Sequence, residues 1–339
     1  MNSSELRRYD RQLILADLGL EGQQKLKSSN VLIVGAGGLG SPALLYLAAA
    51  GVGRIGVIDY DVVEESNLQR QVLFNNHDLG KNKAEAAVEK LMLLNPYLVF
   101  DTYPFKLEPE NAFKIFSNYT LMLDCSDNFS TRYLVNDTCV ELKKPFVFGS
   151  ILRFEGQVSV FNLQGGPNYR MLYPEAPSDE LALNCSEAGV IGTLPGIVGT
   201  YMANESIKIL AGFGETLSGK LLTIDVLHNQ TQIFSFATSD IKNTKQYDSS
   251  IPLINQSILS EWKENGEDFM LIDVREAYEY DEHNIGGTNI PVHELPERIS
   301  EILAYKKVVF ACTTGTRSKL ATAILAEHHK EILVFNINV

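Results

Sequence analysis

The chain has 339 residues, of which 45% are hydrophobic and 21% are charged, and its formal net charge is −13. The length predicts two domains, each able to bury its own core, and the acidic charge disfavours nucleic acid as a partner. No apolar run approaches the roughly 18 residues of a membrane span, so we expect no membrane partner.

The N-terminal segment, residues 4–27, has the pattern of a helix. It carries Arg7, Arg8 and Arg11, which on the residues alone form a solvated basic face. No apolar signal core precedes them, so we expect no export. The chain has four widely spaced cysteines and no CxxC pair: Cys125, Cys139, Cys185 and Cys312. This usage fits a reducing cytoplasm rather than a disulfide framework.

The strongest local signal is a glycine-rich loop between an apolar strand (31–34) and a helix (41–50). Glycines let the backbone approach a phosphate, and a helix N-terminus offers free N–H groups and a partial positive charge. The loop glycines are Gly35, Gly37, Gly38 and Gly40. Their spacing, GxGxxG, matches the dinucleotide fingerprint and predicts a nucleotide site without specifying the nucleotide.

A second buried strand follows and is closed by Asp59, with Asp61 two residues later. Either carboxylate falls where an acidic residue would contact a ribose. The alternative is that both are turn-forming residues after a strand. Two acids just past the carboxyl end of a strand, in a sheet with a glycine loop, favour the ligand.

Buried strands and helices continue to alternate along the chain. The pattern predicts a helix over 81–94, a strand ending in Asp124, a helix over 129–142 and a strand over 145–151. This alternation predicts a largely parallel sheet, in which ligands bind beyond the carboxyl ends of the strands. Gly38, Asp59 and Asp127 each follow such a strand, so we expect three motifs to meet at one sheet edge.

Lys83 stands in the first turn of the predicted helix 81–94. A cation there opposes the helix dipole at a cost of a few tenths to about 1 kcal/mol, which indicates a further use for this lysine. The alternative is an ordinary surface lysine.

After residue 154, period-two alternation predicts an antiparallel extension of the sheet. A polar loop (168–184), an apolar helix (193–210) and a hairpin follow. We predict an α/β fold: a Rossmann-like nucleotide-binding domain, whose mostly parallel sheet is extended by antiparallel strands, and a small second α/β domain. The predicted boundaries are 1–236 for the first domain, 237–252 for a polar linker and 253–339 for the second domain.

In the second domain, a cysteine follows the buried strand 308–311. Cys312 opens the loop CTTGTRS, which leads into a predicted helix over 319–328. Backbone N–H groups and the helix dipole favour the thiolate, which lowers the expected pKa of Cys312 and makes it a nucleophile. Arg317 adds a fixed positive charge. The alternative is a buried structural cysteine.

Taken together, these motifs resemble the MoeB/ThiF family, bacterial relatives of ubiquitin-activating enzymes, over residues 4–236. Residues 253–339 resemble a rhodanese-like sulfurtransferase domain. The first set is RYDRQ (8–12), GAGGLGSP (35–42), DYDVVEESNLQRQ (59–71), GKNKAEAA (80–87), DCSDN (124–128), RFEGQ (153–157) and CSEAG (185–189). The second set is DVREAYEYDEHNIGG (273–287) and CTTGTRS (312–318).

The resemblance implies an adenylyltransferase that uses ATP and Mg²⁺. Its substrate would be the C-terminal glycine of a ubiquitin-like sulfur-carrier protein of the MoaD or ThiS type, which ends in Gly-Gly. Sulfur transfer would then give a thiocarboxylate for molybdopterin or thiamine biosynthesis. A cysteine desulfurase or another donor would supply the sulfur.

Individual roles also follow from the resemblance. The glycine loop would lie under the phosphates, Asp59 would hold the ribose and Asp127 would coordinate Mg²⁺. Arg11 would reach the site of the second subunit of a homodimer. The other implied nucleotide contacts are Ser66, Asn67, Gln69, Arg70, Lys83 and Asn128.

For the sulfur step, the resemblance implies that Cys312 carries a persulfide, with Arg317 beside it. Four residues separate the two, whereas cysteine-dependent phosphatases use five, so the short loop favours sulfur over phosphate. Cys185 matches a family cysteine whose role differs among members. It either bonds covalently to the carrier or is dispensable.

The chain departs from the family in two places. Relatives carry two CxxC pairs for a structural zinc, but Asn168 and Met171 occupy the first pair, and no cysteine follows Cys185 before Cys312. Neither replacement is a zinc thiolate, so we predict that zinc is absent. The rhodanese-like domain is also expected to be trimmed at its C-terminus.

Two other functions are compatible with parts of the sequence. An NAD-dependent dehydrogenase would explain the glycine fingerprint. It would not explain the motifs SNLQRQ and DCSDN or the cysteine loop. A non-catalytic module that binds a ubiquitin-like protein would not need Arg70, Lys83 and Asp127.

Overall fold

The computed structural model describes residues 1–174, 189–236, 252–292, 294–313, 317–318, 321–322, 324–325 and 332–338. The chain divides into two compact units, Met1–Asn243 and Thr244–Val339. The predicted linker lies outside the described residues except for Pro252, and so do Cys185 and most of the helix predicted over 319–328. Across the described ranges, no helix is long and apolar enough to cross a membrane.

The first unit is built on one sheet. Its strands are β1 (Asn30–Val34), β2 (Arg54–Ile58), β3 (Val99–Tyr103), β4 (Leu121–Asp124), β5 (Phe146–Leu152), β6 (Glu155–Phe161), β7 (Lys220–Asp225) and β8 (Gln230–Ser235). Its helices are α1 (Ser3–Arg8), α2 (Asp10–Leu13), α3 (Gly19–Ser28), α4 (Gly40–Ala50), α5 (Lys83–Leu94), α6 (Pro109–Phe116), α7 (Phe129–Leu142), α8 (Tyr169–Leu172) and α9 (Thr193–Ala211).

The strand order is β3-β2-β1-β4-β5-β6-β7-β8. The first five strands are parallel, with Ile33 of β1 opposite Val57 and Leu123, and β5 to β8 pair antiparallel. The central strands are buried on both faces, as expected for apolar strands covered by helices. This arrangement confirms the predicted fold class.

Two hydrophobic clusters cover the two faces of this sheet. Ile33 of β1 packs with α4 and α9 in one cluster. Leu32, its neighbour, faces the other side and packs with α6 and α7. Because neighbouring side chains of a strand point to opposite faces, both faces are filled, and the ligand-binding edge is left at the strand ends.

The prediction of one helix over 4–27 is wrong, because the chain forms α1, α2 and α3 there. The first break is at Tyr9, whose side chain is buried and accepts a hydrogen bond from Asn95 Nδ2 at 2.9 Å. Its ring fills the space that a Cβ at Gly51 would occupy. The helical periodicity of a segment carries no information about such a contact with a residue far away in the sequence. Strand β3 and helix α6 were not predicted from the sequence.

The second unit has a smaller, fully parallel sheet in the order β10-β9-β11-β12. Its strands are β9 (Met270–Asp273), β10 (Thr288–Asn289), β11 (Lys307–Cys312) and β12 (Leu333–Asn338). Helices α10 (Gln256–Glu264), α11 (Ala277–Glu282) and α12 (Leu295–Ile302) belong to the same unit. Two clusters around Ile272 and Val309 fill its interior.

Candidate active site

A cleft opens at the carboxyl ends of the parallel strands of the first unit. Its empty space measures about 920 Å³, counting the solvent at its mouth. The predicted site residues that line it are Gly35, Gly37, Gly38, Asp59, Arg70, Lys83, Asp127 and Asn128. Asp61, Gln71, Ser126, Arg132 and Ile151 also line it.

The glycine loop forms one wall of the cleft, between β1 and α4. Gly35 has φ +95°, a conformation that favours glycine. A Cβ at Gly40 would lie 2.0 Å from the carbonyl oxygen of Gly35. The loop can therefore close onto the start of α4 only with glycine at both positions.

Asp59 ties the end of β2 to this loop. Its Oδ2 accepts from the backbone N–H of Ala36 at 2.8 Å, and its Oδ1 accepts from that of Asp61 at 2.9 Å. Burial raises the pKa of Asp59, while these two N–H groups lower it. Each carboxylate oxygen keeps a further lone pair for a ligand hydroxyl.

Lys83 is nearly buried beside the cleft, and its Nζ lies 3.0 Å from Oδ2 of Asp61. Asn82 caps α5, because its Oδ1 accepts from the N–H groups of Ala84 and Glu85. Asn82 also donates to the carbonyl of Asp59 at 3.0 Å. The turn after β2 and the start of α5 thus hold the ammonium group at the cleft.

Of the predicted run from Ser66 to Arg70, only Arg70 lines the cleft. Its Nη1 donates to the carbonyl of Ser66 at 3.0 Å. Asn67 is buried, and its Oδ1 accepts from Glu64 N–H at 3.3 Å within a 3₁₀ turn. Gln69 lies instead on a separate apolar groove, next to Gly192.

The turn after β4 brings Ser126, Asp127 and Asn128 to the cleft. Asn128 caps α7, because its Oδ1 accepts from Thr131 N–H at 2.9 Å. Asp127 is exposed. Its carboxylate is therefore open to a ligand.

The donor set suits a magnesium ion that arrives with a nucleotide. Across the described ranges, no group of three or more His, Cys, Asp or Glu side chains could hold a metal alone. Mg²⁺ is usually held by one or two carboxylates together with substrate phosphates, and Asp127 can supply a carboxylate of this kind.

Arg11 does not line the cleft. Its side chain is 90% exposed, and its Nη1 lies 3.8 Å from Oδ2 of Asp10. It is therefore available at the surface of the first unit.

The second unit carries the cysteine loop. Cys312 ends β11, is buried, and its Sγ lies 3.4 Å from Oγ of Ser318. Arg317 forms a two-pronged ion pair with Glu279, with Nη2 donating to Oε1 at 2.8 Å. This pairing raises the pKa of Arg317 and lowers that of Glu279.

At the positions of the missing first CxxC pair, the chain makes a helix cap. Oδ1 of Asn168 accepts from the backbone N–H of Met171 at 3.2 Å and begins α8. Arg170 pairs with Asp137 of α7 through two bonds of 2.7 Å, and its guanidinium stacks on Tyr133. These contacts anchor the segment without thiolate ligands.

Sequence reasoning missed Gln71 and Arg132 as residues of the cleft. The sequence did contain an indication for Arg132: it is a charged residue on the buried face of α7, together with Tyr133 and Asn136. Charged residues are almost never buried without a partner, so this position called for an explanation.

Comparison with known proteins gives two family matches. The ThiF family matches residues 9–246, and the rhodanese-like domain matches residues 255–337. A probable adenylyltransferase/sulfurtransferase MoeZ of Mycobacterium tuberculosis is 41% identical, over 95% of this chain and 88% of the relative. A probable molybdopterin-synthase adenylyltransferase of Porphyra purpurea is 38% identical, over 97% and 90%.

A sulfur carrier protein adenylyltransferase of Thermus thermophilus is 53% identical, over 66% of this chain and 84% of the relative. Among solved structures, E. coli MccB with AMPCPP and MccA has a TM-score of 0.62 at 22% identity, over 70% of this chain and 73% of that chain. At that identity the likeness concerns the fold alone.

Proposed function

The chain belongs to the ThiF family and carries a C-terminal rhodanese-like domain, and from this premise we propose that it adenylates a sulfur carrier and then transfers sulfur to it. The substrates would be ATP and the C-terminal glycine of a ubiquitin-like protein ending in Gly-Gly. The product would be a thiocarboxylate for molybdopterin or thiamine biosynthesis.

One observation carries the adenylation step: the glycine loop, Arg70, Lys83 and Asp127 line a single cleft at the sheet edge. Adenylation brings two anions together, because a carboxylate oxygen attacks the α-phosphate and pyrophosphate leaves. Such a site needs cations and oriented N–H groups rather than a strong base. The cleft offers the cations Arg70 and Lys83 together with a glycine loop, as this chemistry requires.

The residues would divide the nucleotide between them. The loop N–H groups and the start of α4 would face the phosphates. Arg70 and Lys83 would bind phosphate oxygens, and Asp59 would accept from the ribose hydroxyls. Mg²⁺, when bound with the nucleotide, would be held by Asp127 and would neutralise phosphate charge.

A homodimer is part of the proposal, because the exposed Arg11 would complete the site of the second subunit. We also propose a cytoplasmic location. Within the described ranges, the buried Cys125, Cys139 and Cys312 form no disulfide, which suits a reducing compartment.

In the sulfur step, Cys312 would carry a persulfide supplied by a cysteine desulfurase or another donor. The terminal sulfur would attack the acyl carbon of the adenylate, and AMP would leave. A thiol reductant would then split the acyl disulfide and release the thiocarboxylate.

ATP–pyrophosphate exchange tests the proposal, with purified molybdopterin-type and thiamine-type carriers as substrates. We expect exchange with one carrier type and its loss in Arg70→Ala and Asp127→Ala. Absence of exchange with every Gly-Gly carrier would contradict the adenylation step.

Metal analysis tests the predicted absence of zinc. Because Asn168 caps α8 with its side chain, we expect less than stoichiometric zinc in the purified protein and no loss of stability on treatment with a chelator. Stoichiometric zinc would overturn this prediction.

A further inference from the structure

Arg132 is a nearly buried cation on the wall of the cleft. It is 8% exposed and lines the cleft next to Ser126 and Asp127. Its guanidinium packs on two aromatic rings, 5.1 Å from the centre of Phe129 and 5.6 Å from that of Phe148. These contacts favour one position of the guanidinium.

The hydrogen-bonding capacity of Arg132 is largely unused. Its hydrogen bond from Nη2 to the carbonyl of Ser126 is long at 3.4 Å, and its buried Nε has no partner within the described part of the chain. A guanidinium has five N–H donors, and leaving a buried charged donor unmatched is costly. A buried arginine in this state fits a ligand that supplies the missing acceptors.

Asp124 does not supply the missing acceptors for Arg132. This fully buried carboxylate accepts from the N–H and Oγ of Ser126 at its Oδ1, but its Oδ2 has no partner among the described residues. Burial raises the pKa of Asp124, and the charge of Arg132 opposes that rise. The two groups interact through space, and each keeps a polar atom unpaired.

The position of Arg132 along the sheet edge indicates which ligand it meets. Phe105 and Leu107, after β3, line one end of the cleft, and Asp59, after β2, comes next. The glycine loop follows β1 in the middle. Arg132, packed on Phe148 of β5, and Ile151 at the end of β5 line the opposite end.

With the ribose at Asp59 and the phosphates at the glycine loop, the base would extend toward β3. The β5 end would then hold neither base nor ribose, which leaves room for an acceptor whose oxygen reaches the α-phosphate from the side opposite the leaving pyrophosphate. The expected ligand at this end is the carboxylate of the acceptor.

We propose that Arg132 binds the terminal carboxylate of the carrier protein and orients one oxygen toward the α-phosphate. This inference rests on the proposed function and names a substrate contact within it. Charge-assisted bonds from a planar guanidinium fix a carboxylate in one orientation and screen its repulsion from the phosphates. In the step itself, the carboxylate oxygen bonds to phosphorus, the bond to the β-phosphate oxygen breaks, and pyrophosphate leaves with the electron pair.

The test uses a carrier that supports exchange with the full-length protein. In Arg132→Met we expect the KM for the carrier to rise about tenfold or more, the typical effect of losing a hydrogen bond to a charged group, while ATP affinity is retained. Arg132→Lys keeps the charge but loses the fork, and we expect a smaller rise. A rise in the KM for ATP with an unchanged KM for the carrier would overturn the proposal.

A carrier whose terminal carboxylate is converted to a carboxamide tests the contact directly. We expect the wild-type protein to bind the carboxylate form about tenfold more tightly than the amide, and Arg132→Met to bind both equally. If Arg132→Met kept the preference for the carboxylate, the proposal would be wrong.

Two controls separate binding from a structural role. Arg170→Met removes another stacked arginine that does not line the cleft, and the KM for the carrier should be unchanged. The second control is a double variant, Arg132→Met with Asp124→Asn, in which both buried charges are removed. Recovery of carrier affinity in this double variant would mean that Arg132 only balances Asp124, whereas continued weak binding supports the proposal.

Exchange by the wild-type protein distinguishes failure of the proposed adenylation from failure of the role proposed for Arg132. If no Gly-Gly carrier supports exchange, the proposed function fails. If the wild type exchanges and Arg132→Met keeps the KM for the carrier, only the role of Arg132 fails.

Discussion

At the scale of single residues, Lys83 shows how a site accepts a local cost. A cation in the first turn of α5 opposes the helix dipole, and its side chain is only 8% exposed. Asp61 offsets the cost with an ion pair of 3.0 Å, while Asn82 satisfies the helix N-terminus. Asn82 caps the helix without any help from the Lys83 ammonium group. We therefore attribute the position of Lys83 to a role in the cleft.

Replacing Lys83 is therefore expected to impair chemistry more than stability. In Lys83→Met we expect exchange to fall about 100-fold or more, comparable with the loss of one charge-stabilising donor in an active site. In Asp61→Asn the ammonium remains but loses its anchor, so the loss should be smaller. Initial rates of ATP–pyrophosphate exchange, with thermal melts as a control for folding, measure both. Exchange by Lys83→Met at the wild-type rate would contradict this role.

The sequence was sufficient to predict those cleft residues that follow the end of a strand. The carboxyl ends of parallel strands lie at the same edge of the sheet, which fixes the location of such residues. Gly38, Asp59 and Asp127 are of this kind. The run from Ser66 to Gln69 could not be resolved in this way, since a 3₁₀ turn decides which side chains face the cleft. Arg132 lies inside a helix, where only the packing of α7 against β5 brings it to the site.

At the scale of elements, the glycine loop packs so closely on the start of α4 that there is no room for a side chain at Gly40. A Cβ at Gly40 would approach the carbonyl oxygen of Gly35 to 2.0 Å, far inside van der Waals contact. Since both atoms belong to backbone, relief requires the loop to move away from α4. The loop N–H groups would then lose their alignment toward a phosphate.

Gly40→Ala is accordingly expected to weaken ATP binding by about tenfold or more and to lower the melting temperature by several degrees, since overpacking costs about 1–3 kcal/mol. Calorimetric titration with a non-hydrolysable ATP analogue measures the binding. Gly196 in α9 is the matched control, because a Cβ there meets nothing within 4 Å. Gly196→Ala should retain ATP binding; equal loss in the two variants would argue against the contact.

A buried ion pair links another turn to a helix. Oδ2 of Asp78 accepts from Asn75 N–H at 2.8 Å and lies 2.8 Å from Nζ of Lys90 in α5. Burial pushes the pKa of Asp78 up, but the Lys90 ammonium and the Asn75 N–H outweigh it and hold the pKa below its ordinary value. The pair thus favours the charged carboxylate in the folded state.

Asp78→Asn should lower the free energy of unfolding by about 1–3 kcal/mol at pH 7. A folded pKa below the unfolded value, about 3.9, contributes stability above that pH and loses it as pH falls through the folded pKa. The difference between wild type and variant should therefore shrink below about pH 4. Urea denaturation at a series of pH values measures it. A difference independent of pH would show that the charge of Asp78 is not its source.

The elements recognised from sequence were those with strong local patterns, such as the apolar strands β1, β2 and β4. The edge strand β3 escaped because its residues are only partly buried and give no apolar run. The N-terminal segment was assigned one helix because its helical pattern continues through Tyr9. Its breaks depend on partners such as Asn95, which lie far away in the sequence.

At the scale of the whole molecule, the two units carry separate chemistry on separate cores. The clusters of the first unit surround the eight-stranded sheet, and those of the second surround the four-stranded sheet. The cleft proposed to bind ATP lies in the first unit, and Cys312 lies in the second. A substitution confined to one core should therefore leave the partial reaction of the other unit intact.

Cys312→Ala and Asp127→Ala separate the two reactions. Cys312→Ala removes the thiol that we propose carries the sulfur and leaves the cleft unchanged, so we expect ATP–pyrophosphate exchange at the wild-type rate and no thiocarboxylate on the carrier. Asp127→Ala should abolish exchange but still accept sulfur at Cys312, because the cysteine loop is unchanged. Exchange assays and intact-mass measurement of the carrier and of the protein itself distinguish these states. Loss of exchange in Cys312→Ala would mean that the second unit takes part in adenylation, and the assignment of one reaction to each unit would be wrong.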